Sequence, residues 1–396
     1  MENIVYLDNN ATTKIDPEVL DAMLPYLSEK YGNPSSIHSF GGNIGKDITR
    51  ARQKVAELIG AENDYEIVFT GTGTESDNLA ILGTVAYYKE KNHIITSRVE
   101  HPAILSTCKK LEKEGYRITY VPVDRDGNLN INFLKESVTE DTAIVSIMYA
   151  NNETGVIFPV EEIGAFLKEQ EIPFHIDAVQ AAGKLPIDVK KLQCNLLSIT
   201  GHKFHAPKGI GVLYVHRGTR MRPILHGGHQ EKGRRPGTEN TASIIGMGKA
   251  AELAMKQIQD ESRIKALRDK LENGIVSMFP NSHLNGNKIM RVPNTTNIGF
   301  EYIEGEAILL YLDERNIAAS SGSACSSGAL EPSHVLRAMG VPFTSAHGSI
   351  RFSLSRFTTE KEIDYVLSVM PSVVNKLLEI SPYWDNEKQQ GIPITI

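Results

Sequence analysis

The sequence predicts an α/β protein built on a largely parallel sheet. Three observations carry this reading. Short apolar runs end near residues 70, 97, 149, 177 and 200, with helix-length segments between them, the alternation that βαβ units produce. The run Ala143-Ile-Val-Ser-Ile-Met-Tyr149 is continuously apolar, as a strand covered on both faces must be. Several runs break off into polar or glycine-rich turns, where open α/β sheets bind their ligands.

The bulk numbers narrow the class. A chain of 396 residues has room for a large core and two domains. Its 41% hydrophobic and 23% charged residues are those of a soluble globular protein. A net charge of −6 without a basic run argues against nucleic acid as a partner. The opening Met-Glu-Asn lacks the basic and apolar segments of a signal peptide. No apolar run approaches the ~20 residues of a membrane span, so a cytoplasmic protein without membrane contact is expected. Cys108, Cys194 and Cys325 are far apart and odd in number, which gives no disulfide framework and no CxxC pair and fits a reducing compartment.

In chain order, Val5 to Thr13 is a short strand running into a polar turn. Pro17 opens a helix to about Lys30, proline being favoured in a first turn. Residues 31–38 are full of breakers and form a loop. Gly45 to Ile59 is an amphipathic helix stopped by Gly60. Tyr65 to Thr70 is a strand, Gly71 to Asn78 a tight turn, and Leu79 to about Lys91 a helix. That order aims backbone amides at an anion, so the turn reads as a phosphate cup with Gly73 and Thr74 nearest the phosphate. The competing reading is an ordinary βα turn. Neither G-x-G-x-x-G nor a Walker loop is present, which disfavours nucleotides.

His93 to Ser97 is the next strand, and His101 follows it, held extended by Pro102. Its ring could stack on a cofactor or be an incidental loop histidine. Helices over 104–114, 133–139 and 160–170 alternate with strands over 117–123 and 143–149. The loop Ala150 to Gly155 supplies Asn152.

Pro173 to Ala178 is a strand carrying Asp177, with Gln180 close behind. A carboxylate there could keep a pyridine nitrogen protonated, and Gln180 could bond a ring hydroxyl. Asp before Ala-Val-Gln-Ala-Ala is equally a good helix cap. Leu196 to Ile199 leads into Thr200, Gly201, His202 and Lys203. A lysine just past a buried strand tends to lose its proton, and the neutral amine can form a Schiff base with a carbonyl. That is one way to hold pyridoxal phosphate. Most lysines are solvated instead; the nearby Asp177 tips the balance towards the cofactor.

Gly209 to Val215 is a strand. Residues 226–240 form a glycine-rich, basic loop, either a second phosphate-facing loop reaching a neighbouring subunit or a solvated one. Thr241 to about Met278 is helical, with a domain boundary expected near 256–264. Residues 280–288 are a loop, 297–300 a strand and 306–314 a helix. Small residues surround Cys325 from Ala318 to Leu330. Free cysteine is usually buried and inert, but here a mobile nucleophilic thiol is the leading reading. The strand over 347–357 carries Arg351, suited to clamp a substrate carboxylate bidentately and preferred over Arg356. Thr359 caps the final helix, and a turn-rich tail follows from Ser381.

With these stretches in place, the chain resembles the cysteine desulfurases of the NifS/IscS type. The resemblance runs nearly end to end through YLDNNATT (6–13), GNPSS (32–36), FTGTGTESDN (69–78), EHPA (100–103), ANNETG (150–155), HIDAVQ (175–180), TGHKFHAPKG (200–209), RRPGTEN (234–240) and SSGSACSSGALEPSHVL (320–336). It implies a fold type I pyridoxal-phosphate transferase and a homodimer. A large domain over 15–260 would hold the cofactor. A smaller domain from 1–14 and 261–396 would carry the cysteine loop.

Lys203 would be the Schiff-base lysine. Asp177 would pair with the pyridine nitrogen, Gln180 with the ring oxygen, and His101 would stack on the ring and serve as acid and base. Thr74, His202 and, from a second subunit, Thr238 would hold the phosphate beside Gly73, and Thr200 would keep a hydroxyl contact to it. Asn152 and Arg351 would orient the substrate. L-cysteine would become L-alanine, with a persulfide left on Cys325 for an iron–sulfur scaffold or another acceptor. No resident metal is implied; Cys325 would meet an iron–sulfur cluster only in transit. RRPGTEN points to the nitrogen-fixation-associated members, and LEPSHVL to the branch with an extended cysteine loop. A selenocysteine lyase or an aminotransferase would use the same site, and a non-catalytic sulfur-transfer platform stands as a reading from another class.

Overall fold

In the computed structural model, the described residues are 4–258, 261–321, 332–385, 387–388 and 390–392. A seven-stranded sheet organises the fold. Its strands lie in the order Ile67–Thr70, Gly211–Val215, Leu196–Thr200, Phe174–Asp177, Thr142–Met148, His93–Ser97 and Arg117–Val121. Gly211–Val215 runs against both its neighbours, and the remaining pairs are parallel. This is the mixed, mostly parallel α/β sheet that the sequence predicts. Two reversals cancel, so the strands ending at Thr70, Ser97, Met148, Asp177 and Thr200 point the same way. Their carboxyl ends line one edge of the sheet.

Several boundaries differ from the expectation, each for a local reason. The helix after the first sheet strand starts at Gly73, not Leu79, because the Thr72 side chain caps it by accepting from Glu75 N. A threonine cap satisfies an amide that would otherwise be orphaned, so most of the expected turn is helix. The helix expected from Gly45 starts at Ser39, where the His38 ring accepts from Gly41 N. The single helix expected from Pro17 is two, Pro17–Met23 and Pro25–Ser28, since Pro25 interrupts the amide ladder. The stretch expected as one helix from Thr241 to about Met278 carries two, Thr241–Gln257 and Glu261–Met278. Ser282–Leu284, expected as loop, is the edge strand of a second, antiparallel sheet with Thr295–Phe300 and Ser349–Ser353.

Each sheet has its own core. Phe158, Phe174, Ile176 and Ile199 are buried beside the large sheet with residues of the helices Ser39–Ile59 and Thr241–Gln257. Leu271, Phe300, Phe352 and Val373 form the centre of the second core. Fully burying such side chains contributes roughly 1.5–3 kcal/mol apiece. Val5 and Leu7 join the second core, and the strand Val5–Tyr6 pairs in parallel with Ile317–Ala318. Val335, Leu336 and Met339, late in the chain, pack into the first core instead. No helix among the described residues is long and apolar enough to cross a membrane.

Two features carry predictions. A Cβ on Gly164 would lie 1.9 Å from the backbone oxygen of Leu192, so the helix Val160–Glu169 cannot keep its seat with any side chain there. Gly164→Ala is expected to destabilise by roughly 1–3 kcal/mol, read from urea midpoints. Glu100 is fully buried and accepts from Ser97 Oγ and Met148 N through Oε1. Its Oε2 has no partner among the described residues. Burial pushes its carboxyl from the usual 4.5 up to about 8, against those two hydrogen bonds. The folded chain therefore holds a proton that the unfolded chain releases. The resulting stability is complete below pH 4.5 and is lost as pH rises through about 8. Glu100→Gln should gain on the wild type with rising pH across that window, by up to about 1.4 kcal/mol per unit. Unfolding curves at pH 5, 6.5 and 8 test this, and a constant difference would refute it.

Candidate active site

The sheet edge opens on a cavity of about 340 Å³. Gly73, Thr74, His101, Asn152, Asp177, Gln180, Thr200, His202, Lys203 and Arg351 all line it. These are ten of the residues singled out from sequence. Most arrive from the carboxyl ends of neighbouring strands, which explains why positions so far apart in sequence meet. Arg351 comes from the second sheet and is 3% exposed. Thr238 is elsewhere, lining a cavity of about 170 Å³ with Gly71 and Arg235. Its loop is pinned by Arg52 to Glu231 and Arg235 to Glu75. Cys325 lies outside the described residues. The chain on either side of it is anchored nearby. Ser320 exchanges backbone hydrogen bonds with Arg351. Ser333 Oγ donates to Glu153, and His334 Nε2 lies 3.0 Å from the Glu100 oxygen.

Lys203 Nζ donates to the backbone oxygens of Asn10 at 2.7 Å and Ala11 at 2.8 Å. Asp177 accepts from Val179 N at 3.0 Å. Burial raises its carboxyl to about 6, opposed by that bond and by Lys203. Arg351 Nη2 donates to Asp8 at 2.6 Å and Nη1 to the Asn152 oxygen at 2.9 Å. Its Nε is buried without a partner among the described residues.

His101, His175 and His202 are neutral near pH 7. Burial, then Lys203, lowers His101 and His202 to about 4, and burial alone lowers His175 to about 3. His101 Nδ1 accepts from Ala103 N, so the neutral ring carries its proton on Nε2. The Thr200 hydroxyl donates to the Ile210 oxygen at 3.0 Å. In this arrangement its proton is committed away from an anion, which the expected phosphate contact did not anticipate. Arg356 pairs with Asp16 and does not line the cavity.

Sequence reasoning missed Asn10, Asp77 and Lys184. Asp77 lines the cavity one helical turn beyond Gly73, a relation hidden while residues 71–78 read as a turn. Its Oδ1 is buried with no hydrogen bond to a described residue. His175 stands 3.7 Å away, held between Ser146 and Ser198. Burial, then the charge of Asp177, raises Asp77 well above the usual carboxylate range. Asn10 was visible only as part of a polar turn, and Lys184 as one more lysine.

The donor set fits pyridoxal phosphate. The backbone amides of Gly73 and Thr74 open a fifteen-residue helix and have no partner within it. A Cβ on Gly73 would sit 3.1 Å from Val179 and 3.2 Å from Thr200, so glycine keeps this cup open for an anion. Asp177, a buried carboxylate, suits a protonated ring nitrogen, and Lys203 supplies the amine. Among the described residues no cluster of histidine, cysteine or carboxylate side chains could hold a metal ion.

Comparison with known proteins agrees. The class-V aminotransferase family matches residues 5–366. Cysteine desulfurase 2 of Trichormus variabilis is 58% identical over 97% of this chain and 96% of its own length. Cysteine desulfurase NifS of Azotobacter vinelandii is 56% identical over 96% and 95%. A solved NifS-like protein superposes with a TM-score of 0.89 at 38% identity, covering 95% of this chain and all of that one. The chain thus belongs to the cysteine desulfurases of the NifS type, within the pyridoxal-phosphate-dependent class-V aminotransferases.

Proposed function

We propose that this protein takes sulfur from L-cysteine, releases L-alanine and keeps the sulfur as a persulfide on Cys325. The observation that carries the reading is the meeting of Lys203, Asp177 and Arg351 in one cavity, flanked by the anchored ends of the cysteine segment. Bound pyridoxal phosphate supplies an aldehyde for the substrate amine and an electron sink for the charge left when the α-proton departs.

The chain's own groups do the rest. Lys203 holds the cofactor and takes the α-proton as general base. Asp177 faces the pyridine nitrogen, Gln180 the ring oxygen and His101 the ring face. Gly73, Thr74 and His202, with Thr238 of a second subunit, hold the phosphate. Thr200 lines the same cup. Arg351 and Asn152 orient the substrate carboxylate, a bidentate task suited to a guanidinium. The Cys325 thiolate attacks the substrate sulfur. The new S–S bond forms as the C–S bond breaks, its electron pair stays with the carbon, and a proton completes alanine. No external oxidant is required.

The same reading takes 15–260 as the cofactor-holding domain, and 1–14 with 261–396 as the domain carrying the cysteine. The protein acts as a cytoplasmic homodimer and delivers sulfur for iron–sulfur cluster assembly. Its acceptor is a scaffold protein, in the nitrogenase-associated branch.

The test is release of sulfide and alanine from L-cysteine with a reductant. Equimolar products are expected from the cofactor-loaded protein and none from Cys325→Ala. Products unchanged in that variant would remove the thiol from the mechanism. Keto-acid-dependent amino transfer surviving in it would favour an aminotransferase. Lys203→Ala should lower turnover by about 10²–10⁴-fold and abolish the visible absorbance of the lysine-bound cofactor. Arg351→Lys keeps the charge but loses the fork, so KM for L-cysteine should rise about tenfold or more, with a smaller change in kcat.

A further inference from the structure

A second lysine stands behind the first. After Asp177 the backbone coils, with Ala182 N donating to the Ala178 oxygen and Leu185 N to the Ala181 oxygen. The coil lays Lys184 over Gln180, four residues earlier. Lys184 Nζ donates to Gln180 Oε1 at 2.6 Å and to Asn10 Oδ1 at 2.9 Å. Both acceptors are amide oxygens. An amine keeps at least two N–H donors whether charged or neutral, so the arrangement holds in either state.

The consequence falls on Gln180. A glutamine amide can present either its oxygen or its NH₂. With Oε1 taken by Lys184, the NH₂ must point the other way. There Nε2 donates to the Asn10 backbone oxygen at 3.0 Å. Nε2 has a second hydrogen, and Gln180 lines the cofactor cavity. A flipped amide would turn a carbonyl oxygen towards an anionic ring oxygen and repel it.

Lys184 is not a solvated surface charge. It lines a cavity of about 110 Å³ that Lys203 also lines, together with His205, Arg263 and Arg356. Burial, then the charges of Lys203 and Arg351, holds its pKa well below the usual lysine value. A lysine kept in so cationic a place needs a reason, and orientation of an amide supplies one.

We propose that Lys184 is a positioning residue for the cofactor: it fixes the Gln180 amide so that the NH₂, not the carbonyl, meets the ring oxygen of pyridoxal phosphate. This rests on the reading above that Gln180 faces that oxygen.

The experiment is a spectrophotometric pH titration of the cofactor-loaded protein without substrate. The variants are Gln180→Ala, Lys184→Met, Lys184→Gln and the double variant Gln180→Ala/Lys184→Met. A donor to the ring oxygen favours its anionic form. That makes the oxygen a weaker base and lowers the pH at which the Lys203-bound cofactor loses its proton. Gln180→Ala should raise the midpoint by about half a pH unit or more. Lys184→Met should raise it by a similar amount, and should add nothing when Gln180 is already alanine. Lys184→Gln, neutral but still a donor, should stay near the wild-type midpoint.

If Gln180→Ala moves nothing, the assignment of Gln180 to the ring oxygen falls, and this inference with it. If Gln180→Ala shifts the midpoint while Lys184→Met does not, Lys184 plays no part in placing the amide. A shift that persists undiminished in the double variant would mean that Lys184 acts by charge alone. Should Lys184→Met fail to fold, Lys184→Gln still decides: a rise as large as that of Gln180→Ala overturns the proposal.

Discussion

Every polar atom of Asn10 is in use, and the site depends on that. Its backbone oxygen receives Lys203 Nζ and Gln180 Nε2. Its side-chain oxygen receives Lys184 and Asn294. Its side-chain nitrogen donates to the Asn152 oxygen and Thr295 Oγ1, and its backbone N–H to Ser353 Oγ. One buried residue thereby ties the lysine turn, the Asp177 turn and the second sheet to the N-terminal segment. A buried amide left unpaired costs about 1–3 kcal/mol. Any motion that separates these parts would strand several such groups at once. The cavity walls are therefore held by one shared set of bonds rather than by three independent ones.

The electrostatics follow from this enclosure. Burial keeps the histidines around the cavity neutral and pushes the buried carboxylates Asp77, Asp177 and Glu100 upward. Asp177 is raised less than Glu100, and a backbone amide and Lys203 favour its charged form. The site thus separates two of its carboxylates: Asp177 remains anionic near neutrality, and Glu100 holds a proton. Such a separation lets Asp177 face a ring nitrogen without competition from a charged Glu100.

Much of this was legible in the sequence, and what was not has a physical reason. Lys203 and Asp177 stood out because each follows a short apolar run, and strand ends are where α/β sheets gather their ligands. Arg351 stood out as a charge inside an apolar run. The helix start at Gly73 was hidden because glycine lowers helix propensity, while the cap at Thr72 overrides it. Asp77 was lost with that boundary. Asn10 was unreadable for another reason. Its partners Asn152 and Thr295 lie 142 and 285 residues away, and nothing local encodes them. Lys184 gave no signal at all, since a lysine in a turn is ordinarily solvated.

The pairing of the first strand with Ile317–Ala318 bears on how the protein is made. The large sheet closes with residues before 216 and can form while the rest of the chain is still being synthesised. Asn10 can meet Lys203, Gln180, Lys184 and Asn152 there, but cannot complete its bonds so early, because Thr295 and Ser353 are 285 and 343 residues further on. During translation the first strand must wait for Ile317–Ala318, and Asn10 for Thr295 and Ser353. The lysine turn and the sheet edge can thus exist as a scaffold before the cavity does. Competence to hold a cofactor in its final geometry then arrives late, when the oldest residues of the nascent chain meet some of the newest.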